Sequence, residues 1–249
     1  MDDRKKDVEA YWREKLKTDD NKPVEEPEIG VVVPVLDVKN IAKQYFDNLK
    51  VAIDAISLDD IQRVAEALFK AYKNNKRVFI LGNGGSASTA SHMASDLGKG
   101  TLRNVYDPDE KRFQVVSLTD NVATMTAFAN DLSYDEIFIQ QLRNYVQLGD
   151  VVIGISGSGN TPNVIKAILY AKQVGATTIG LLGFTTGGSA KNLVDYDITI
   201  KSNTYGVVED LHLVLDHLLT TCLSYMKGKH EIGSASGEPV EWKERSTRR

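Results

Sequence analysis

The sequence is short of the features that mark several classes of protein. Its 249 residues include a single cysteine, Cys222, which excludes a disulfide within the chain and is typical of a cytoplasmic protein. No apolar run approaches the roughly 20 residues that span a bilayer, and the charged N-terminus lacks the apolar core of a signal peptide. The net charge of −4 provides no electrostatic footprint for nucleic acid. We therefore expect a cytoplasmic protein that binds neither nucleic acid nor a membrane.

The composition is otherwise that of an ordinary globular protein, with 42% hydrophobic and 26% charged residues. Residues 1–34 are predicted to form an N-terminal extension and linker, because they are charged and include two prolines in an acidic stretch. Residues 35–227 are predicted to form one domain, and the polar residues 228–249 a flexible C-terminal tail. Cys222 lies in an apolar helical pattern, which favours a buried structural thiol.

Helical and strand patterns alternate along the predicted domain. Apolar residues at helical spacing predict a first helix over Val38–Ile56, and Ser57 with Asp60 resembles a capping box for a second helix ending near Lys73. Five short apolar runs follow, each leading through a loop into a helix: Val78–Leu81, Phe113–Leu118, Val151–Ile155, Thr177–Leu182 and Asp197–Ile200. The alternation predicts an α/β fold with a five-stranded parallel sheet flanked by helices on both faces, preceded by two N-terminal helices.

The first apolar run leads into a glycine-rich loop, Gly82–Ser86. Its glycines allow a tight turn and the close approach of a ligand to the backbone. A helix begins near Ser86, where free N–H groups and the positive end of the helix dipole favour an anion. The spacing of Gly82, Gly84 and Ala87 also fits a dinucleotide-binding fingerprint, although the acidic residue expected after a second strand falls in a loop. The loop predicts an anion site, with dinucleotide binding as the alternative.

Two further loops are expected at the same edge of the sheet, because ligands of open α/β sheets bind beyond the carboxyl ends of the strands. The third run leads into Ser156–Thr161, which carries three hydroxyl groups and precedes Pro162 at a helix start. The second run leads to Asp120. Serine, glycine and asparagine also favour ordinary turns. Because two such loops recur in one sheet, we interpret them as a phosphate site.

A histidine and a carboxylate follow the glycine loop. His92 and Asp96 are four residues apart and so share one face of the predicted helix. They are interpreted as metal ligands, as a base with the group that orients it, or as a solvated ion pair; the spacing leaves these alternatives open.

A second set of such residues lies on or near the last predicted helix. It comprises Glu209, Asp210, His212 and His217. Glu209 and His217 lie roughly 80° apart on an ideal helix, so they converge on one ion only if Glu209 lies at a frayed helix start. We interpret Asp210 as a first-turn partner of the helix dipole and Asp216 as an exposed charge.

Several motifs together resemble a known family. They are Gly82–Ser86 followed by His92, Ser-Leu-Thr-Asp at 117–120, Ala-Asn-Asp at 129–131, and Ser-Gly-Ser-Gly-Asn-Thr-Pro-Asn at 156–163. In order and spacing they resemble the sugar isomerase (SIS) domain, and more closely the phosphoheptose isomerase group of that family. The resemblance extends from about Asp37 to Met226. It implies a single SIS domain and a homotetramer with active sites at subunit interfaces.

The resemblance also implies a set of site residues. The substrate-binding residues would be Asn83, Gly84, Ser86, Asp120, Ser156, Ser158 and Thr161, with the serine and threonine hydroxyls on the phosphate. Zinc would be held by His92, Asp96, Glu209 and His217, and the catalytic residues would be Asp96, Glu209 and His217.

Two positions depart from the family pattern, which has glutamate at Asp96 and commonly glutamine at Glu209. Both remain oxygen ligands. Asp96 is one methylene shorter than glutamate, and a general base must come within hydrogen-bond distance of its proton. Either the backbone or the substrate shifts, or Glu209 is the base, or the activity is weak.

The activity implied is the aldose–ketose isomerisation of sedoheptulose 7-phosphate to D-glycero-D-manno-heptose 7-phosphate through an enediol. It would serve nucleotide-heptose synthesis for surface glycans such as lipopolysaccharide. Two alternatives are an isomerase acting on another phosphosugar and a non-catalytic SIS module that binds a replication initiator or a regulatory partner.

Overall fold

The computed structural model describes residues 37–231. The chain divides into two units, residues 1–40 and residues 41–249, and the sheet lies in the second. The predicted extension over 1–34 lies outside the described residues, as does most of the predicted tail. The last helix continues to Glu231, past the predicted domain end at residue 227. The other domain boundaries stay predictions.

The described elements follow the predicted order. The helices are α1 Val38–Asp54, α2 Leu58–Lys73, α3 Gly85–Ser95, α4 Val122–Asp131, α5 Ile139–Tyr145, α6 Pro162–Val174 and α7 Tyr205–Glu231. The strands are β1 Arg77–Gly82, β2 Gln114–Ser117, β3 Val151–Ser156, β4 Thr177–Leu182 and β5 Tyr196–Thr199. Within residues 37–231, no helix has the length and apolar character needed to cross a membrane.

The helix boundaries reflect local chemistry. Ser57 caps α2 by accepting a hydrogen bond from the Asp60 backbone N–H, as the capping-box pattern predicted. The sequence predicts one helix over Tyr134–Val146, but the structure has a 3₁₀ turn, Tyr134–Glu136, followed by α5. A π-helical turn over Asp96–Gly100, which was not predicted, continues α3. Such turns are rare and frequently occur at functional sites.

The five strands form one parallel sheet in the order β2-β1-β3-β4-β5, so the predicted fold class is confirmed. The chain leaves β1 for β2 on one side and later places β3 on the other side. The strand order therefore reverses between β1 and β3, which is where open α/β sheets bind ligands. The register pairs Gly82 with Ile155, so the loops after β1 and β3 leave the sheet side by side.

Helices cover both faces of the sheet, because successive side chains of a strand point to opposite faces. On β1, Val78 and Ile80 pack in one buried cluster with residues of α2, α3 and α7. Phe79 and Leu81 pack in the opposite cluster with residues of α5 and α6. Cys222 packs against the first cluster but is only half-buried, so the prediction of a buried thiol is correct only in part. Burial raises the pKa of this thiol.

A buried ion pair fastens the loop before β2 to α7. The Lys227 ammonium donates to the Glu110 carboxylate and to the Thr101 carbonyl, both at 3.0 Å. Glu110 also accepts hydrogen bonds from the backbone N–H groups of Arg103 and Asn104. Burial by itself would raise the pKa of Glu110, but these donors outweigh it and lower the pKa to about 2.

We predict that Glu110→Gln lowers the free energy of unfolding by about 3 kcal/mol at pH 7, since the pKa falls from 4.5 to about 2 on folding. Because the folded-state pKa is the lower one, this stabilisation is complete above about pH 4.5 and is lost as the pH falls towards 2. Urea denaturation at pH 7 and at pH 3 measures the difference. Glu66→Gln on the exposed face of α2 is the control, and an equal effect of both substitutions would contradict the prediction.

Candidate active site

The loops after β1 and β3 each open into a helix whose first N–H groups have no side-chain cap. Gly84 precedes α3 with φ of 56°, a left-handed conformation that glycine adopts without strain. Thr161 precedes α6, where Pro162 occupies the first turn, and its side chain makes no capping hydrogen bond. Two helix N-termini therefore present free donors at the point where the strand order reverses.

These loops enclose a small polar pocket of about 150 Å³. Its lining includes five of the seven predicted substrate-binding residues: Asn83, Ser86, Ser156, Ser158 and Thr161. Gly157, Ile155, Tyr205 and Glu209 complete it. We call this set the serine pocket. Its hydroxyl groups and the adjacent helix N-termini match what a phosphate monoester requires.

The Asn83 side chain is held in place by a hydrogen-bond network. Its amide nitrogen donates to the Asn163 side chain at 2.9 Å, and its oxygen accepts from the Tyr134 hydroxyl at 2.8 Å. Asn163 is buried on α6. The motif at 156–163 contains Asn163 but indicates no role for it. No local signal indicates a role for Tyr134, because only the fold brings its 3₁₀ turn to the glycine loop.

Asp120 does not line the serine pocket. It is exposed and accepts a hydrogen bond from the Ser91 hydroxyl of α3. It lies instead in a groove of about 430 Å³ along the edge strand β2, which Arg77, Val116 and Gln141 also line. Gly84 is exposed at the tip of its loop and is likewise not part of the pocket lining. Their contacts with a sugar stay predictions.

A second cluster forms where the end of α3 meets α7. The His92 and His217 Nε2 atoms are 3.3 Å apart, and Asp96 Oδ2 is 3.5 Å from the first and 3.8 Å from the second. Two donor atoms bound to a tetrahedral zinc ion are about 3.3–3.6 Å apart, given zinc–ligand distances of about 2.0–2.2 Å. Three of the four predicted ligands, His92, Asp96 and His217, therefore have nearly the spacing that zinc requires.

Asp216 also belongs to this cluster. One donor atom from each of His92, Asp96, Asp216 and His217 lies within 4.8 Å of the others. We call these four residues the His–Asp cluster. The prediction that Asp216 is an exposed charge is wrong, since the residue has no exposed surface. The buried residues Leu215 and Leu219 show which face of α7 packs into the protein, and Asp216 lies on that same face.

The Asp216 carboxylate is electrostatically unusual. Among residues 37–231 no donor meets either oxygen at good hydrogen-bond geometry, and the Thr220 hydroxyl, one turn further along α7, interacts with the carboxylate only weakly. Burial, followed by the negative charge of Asp96, raises the pKa of Asp216 to about 7, against a smaller opposing effect of Thr220.

Glu209, Asp210 and His212, which the sequence grouped with His217 on the last helix, lie outside the His–Asp cluster. Glu209 is outside the His–Asp cluster and lies in the serine pocket, where its carboxylate covers Gly85 so closely that a Cβ there would overlap it. Since α7 begins at Tyr205, Glu209 is not at a frayed helix start. Asp210 lies in the second turn of α7 and accepts a hydrogen bond from the Tyr45 hydroxyl at 2.6 Å, so the first-turn interpretation is wrong.

His212 is fully buried beneath the site. Its Nε2 lies 3.1 Å from the Leu182 carbonyl, which fixes that nitrogen as the donor. Burial lowers the pKa of His212 to about 4 despite this hydrogen bond, so the ring is neutral at pH 7. It anchors α7 to the end of β4 and does not reach the His–Asp cluster.

Comparison with known proteins agrees with this geometry. The SIS domain family matches residues 44–183. A phosphoheptose isomerase of Trichlorobacter lovleyi is 37% identical over 181 residues, covering 72% of this chain and 89% of the relative. One from Clostridium acetobutylicum is 36% identical over 170 residues, covering 68% and 84%. The solved structure of a phosphoheptose isomerase from Neisseria gonorrhoeae superposes with a TM-score of 0.67 at 26% identity, covering 76% of this chain and 97% of the other.

The fold and the two groups of polar residues thus define an SIS domain of the phosphosugar-isomerase kind. The chain belongs to the SIS family and, within it, to the phosphoheptose isomerases, as the sequence motifs predicted.

The serine pocket depends on the close packing of its loop against the loop before β5. The Ala190 N–H donates to the Gly159 carbonyl at 2.9 Å, and a Cβ on Gly159 would overlap the Gly187 carbonyl. Gly159 also has φ of 64°. We predict that Gly159→Ala lowers the free energy of unfolding by at least about 2 kcal/mol, because a backbone collision adds to the left-handed strain. Chemical denaturation measures it.

Gly98→Ala is the matched control, since a Cβ there meets no atom within 4 Å and its φ lies outside the left-handed region. If Gly159→Ala were as stable as this control, the two loops would not pack as described.

Proposed function

We propose that this protein interconverts sedoheptulose 7-phosphate and D-glycero-D-manno-heptose 7-phosphate by proton transfer through an enediol. The phosphoheptose isomerase relatives support the substrate class. The observation that carries the proposal is the placement of two chemically different groups along one helix. Ser86, at the start of α3, lines the serine pocket, and His92, in its last turn, belongs to the His–Asp cluster.

The spacing of these groups fits the substrate. His92 is six positions after Ser86, which is about 9 Å along a helix. In an extended heptose 7-phosphate, the phosphorus and C2 are roughly 8–9 Å apart, taking C–C bonds of about 1.5 Å. A phosphate in the serine pocket therefore allows C1 and C2, where isomerisation occurs, to reach the His–Asp cluster.

This spacing favours Asp96 over Glu209 as the base. Glu209 lies in the pocket that receives the phosphate, at the opposite end of the substrate from C1. Asp96 lies in the His–Asp cluster, and its side chain is 30% exposed, so a substrate can reach it. In the ketose-to-aldose direction, Asp96 removes a proton from C1 and returns it to C2. His217, whose Nε2 is 3.8 Å from Asp96 Oδ2, carries the hydroxyl proton between the substrate oxygens on C1 and C2.

A metal ion in the His–Asp cluster is part of the proposal, with His92, Asp96 and His217 as ligands. The donor spacing and the imidazole and carboxylate types suit zinc. When bound, zinc would supply Lewis-acid polarisation of the substrate carbonyl. Binding of the phosphate in the serine pocket contributes by holding the reacting end in place.

Assembly into a homotetramer with sites at subunit interfaces is also proposed. The apolar side chains of α1 support it, since Phe46 and Ile53, seven residues apart on one side of the helix, are 59% and 47% exposed. A helix face of this kind is typical of an interface between copies. A cytoplasmic location and a role in lipopolysaccharide synthesis complete the proposal.

The decisive experiment measures isomerisation of sedoheptulose 7-phosphate by metal-stripped and zinc-restored protein side by side. We predict that turnover is lost on stripping and returns with zinc, because the ligands are pre-arranged for the ion. Activity that is indifferent to metal would remove zinc and keep the isomerase. Absence of turnover in a folded, zinc-loaded protein would instead favour a non-catalytic SIS module, and turnover of a different phosphosugar would reassign the substrate.

The choice of base is tested by two isosteric substitutions. We predict that Asp96→Asn lowers kcat by at least about 10²-fold, as expected for loss of a general base. Glu209→Gln should mainly change KM, with kcat within about 3-fold of wild type, because this side chain lies beside the phosphate. Steady-state kinetics at equal zinc content measures both, with exposed Asp47→Asn on α1 as the control. The reverse pattern would assign the base to Glu209.

A further inference from the structure

The hydrogen bonds around Asn83 fix the orientation of its side-chain amide. Asn83 and Asn163 form a reciprocal pair, in which each Nδ2 donates to the Oδ1 of the other side chain, at 2.9 and 3.1 Å. The Asn163 Nδ2 also donates to the backbone carbonyl of Tyr134 at 3.4 Å. Because a carbonyl can only accept, this contact fixes the position of the Asn163 nitrogen. The reciprocal pair then fixes which atom of the Asn83 amide is the oxygen and which is the nitrogen.

The oxygen of the Asn83 amide is fully used within the protein, whereas the nitrogen is not. Oδ1 accepts hydrogen bonds from Asn163 Nδ2 and from the Tyr134 hydroxyl at 2.8 Å, which occupies both of its lone pairs. Nδ2 carries two hydrogens and donates one of them to Asn163. Within the described residues 37–231, the second hydrogen has no acceptor. Asn83 therefore offers a ligand one N–H donor and no acceptor.

This donor is available to the serine pocket. Asn83 lies in the lining of the pocket, whereas Tyr134 and Asn163 do not, so both partners hold the amide from outside it. The hydroxyl groups and helix N-termini around the pocket are also able to donate. A phosphate monoester has strong acceptor oxygens and carries negative charge at pH 7. An N–H group of Asn83 suits such a ligand, whereas the amide oxygen in its place would repel it.

Both partners of Asn83 are held by the helix α6. Asn163 belongs to the first turn of α6 and is only 1% exposed. Tyr134 is 56% exposed, but its 3₁₀ turn is fastened to the same helix by Lys166, whose ammonium donates to Glu136 at 3.0 Å. The orientation of the Asn83 amide is therefore set by a rigid element of the sheet's outer layer and not by the glycine loop alone.

We propose that Tyr134 and Asn163 are positioning residues, which fix the Asn83 amide as a hydrogen-bond donor to the phosphate group of the substrate. Neither residue contacts the substrate itself, and both act through Asn83. The inference rests on the proposed function, because it concerns the pocket assigned to the phosphate. Loss of the Tyr134 hydroxyl should weaken binding of the phosphate without slowing the chemistry at the other end of the substrate.

A double-mutant cycle on the full-length protein tests this inference, with inorganic phosphate as the probe. We predict that Tyr134→Phe weakens phosphate binding by about 3- to 10-fold, which corresponds to one hydrogen bond. In an Asn83→Ala background the same substitution should change the affinity by less than about 2-fold, because Tyr134 acts only through Asn83. Titration calorimetry measures the four affinities. Tyr106→Phe, at a residue that is 91% exposed, is the control.

The effect of Tyr134→Phe in the two backgrounds decides the result. Equal effects in the presence and absence of the Asn83 amide would overturn the inference, since Tyr134 would then act by another route. If wild-type protein bound neither inorganic phosphate nor sedoheptulose 7-phosphate, the proposed function would fail and this inference with it. If wild-type protein bound both, an additive cycle would overturn this inference alone.

Steady-state kinetics of Tyr134→Phe provide a second test that does not depend on the folding of an Asn83 variant. We predict that KM for sedoheptulose 7-phosphate rises by about 3- to 10-fold while kcat stays within about 2-fold of wild type. A general loss of folded protein would lower the apparent kcat and leave KM unchanged. An unchanged KM, or a fall in kcat without a rise in KM, would contradict the positioning role.

Discussion

The packing of α3 against α7 is the contact on which both functional groups depend. Ala90 and Met93 of α3 lie in the same buried cluster as Leu211 and Leu215 of α7. Because α3 is built almost entirely of small residues, the two helices can pack closely at the site. One end of this contact brings Glu209 over Gly85 at the serine pocket, and the other brings His217 to His92. The serine pocket and the His–Asp cluster thus share one rigid support.

The helix α7 combines structural and chemical roles along its length. His212 is neutral and fastened to the end of β4, whereas Lys227 is buried against Glu110 and fastens the loop that follows the π-helical turn. Between these two anchors lie Asp216 and His217. The Ser224 hydroxyl, at 3.4 Å, donates to the Gly100 carbonyl at the end of the π-helical turn that carries Asp96. The cluster is therefore supported from the sheet, from the loop and from the helix itself.

The π-helical turn bears on the shorter reach of Asp96 compared with glutamate. The turn begins at Asp96 itself, so the backbone leaves regular helical geometry at the residue whose side chain is short. Even so, Asp96 Oδ2 lies within 3.8 Å of both histidines. Of the outcomes expected for a shortened carboxylate, the geometry supports a local backbone adjustment more than transfer of the role to Glu209.

Much of the fold was predictable from local signals. The alternation of apolar runs and helical patterns predicted five parallel strands, Pro162 marked the start of α6, and Ser57 marked the cap of α2. These signals depend on neighbours within a few residues, so they can be read from the chain directly. The hydroxyl groups of the serine pocket were predictable for a related reason, since parallel strands deliver their following loops to the same edge.

The sequence by itself therefore determined the fold class, the phosphate-type loops and three members of the His–Asp cluster. Only the tertiary structure decided that Asp216 is buried in that cluster, that Glu209 belongs to the other pocket and that Asp120 lines a separate groove. Helical periodicity specifies which residues of α7 share a face, but not which neighbour that face meets or how the helix is rotated about its axis. That rotation follows from packing the apolar positions of α7 against α3 and the sheet, which involves residues more than 100 positions apart in the chain.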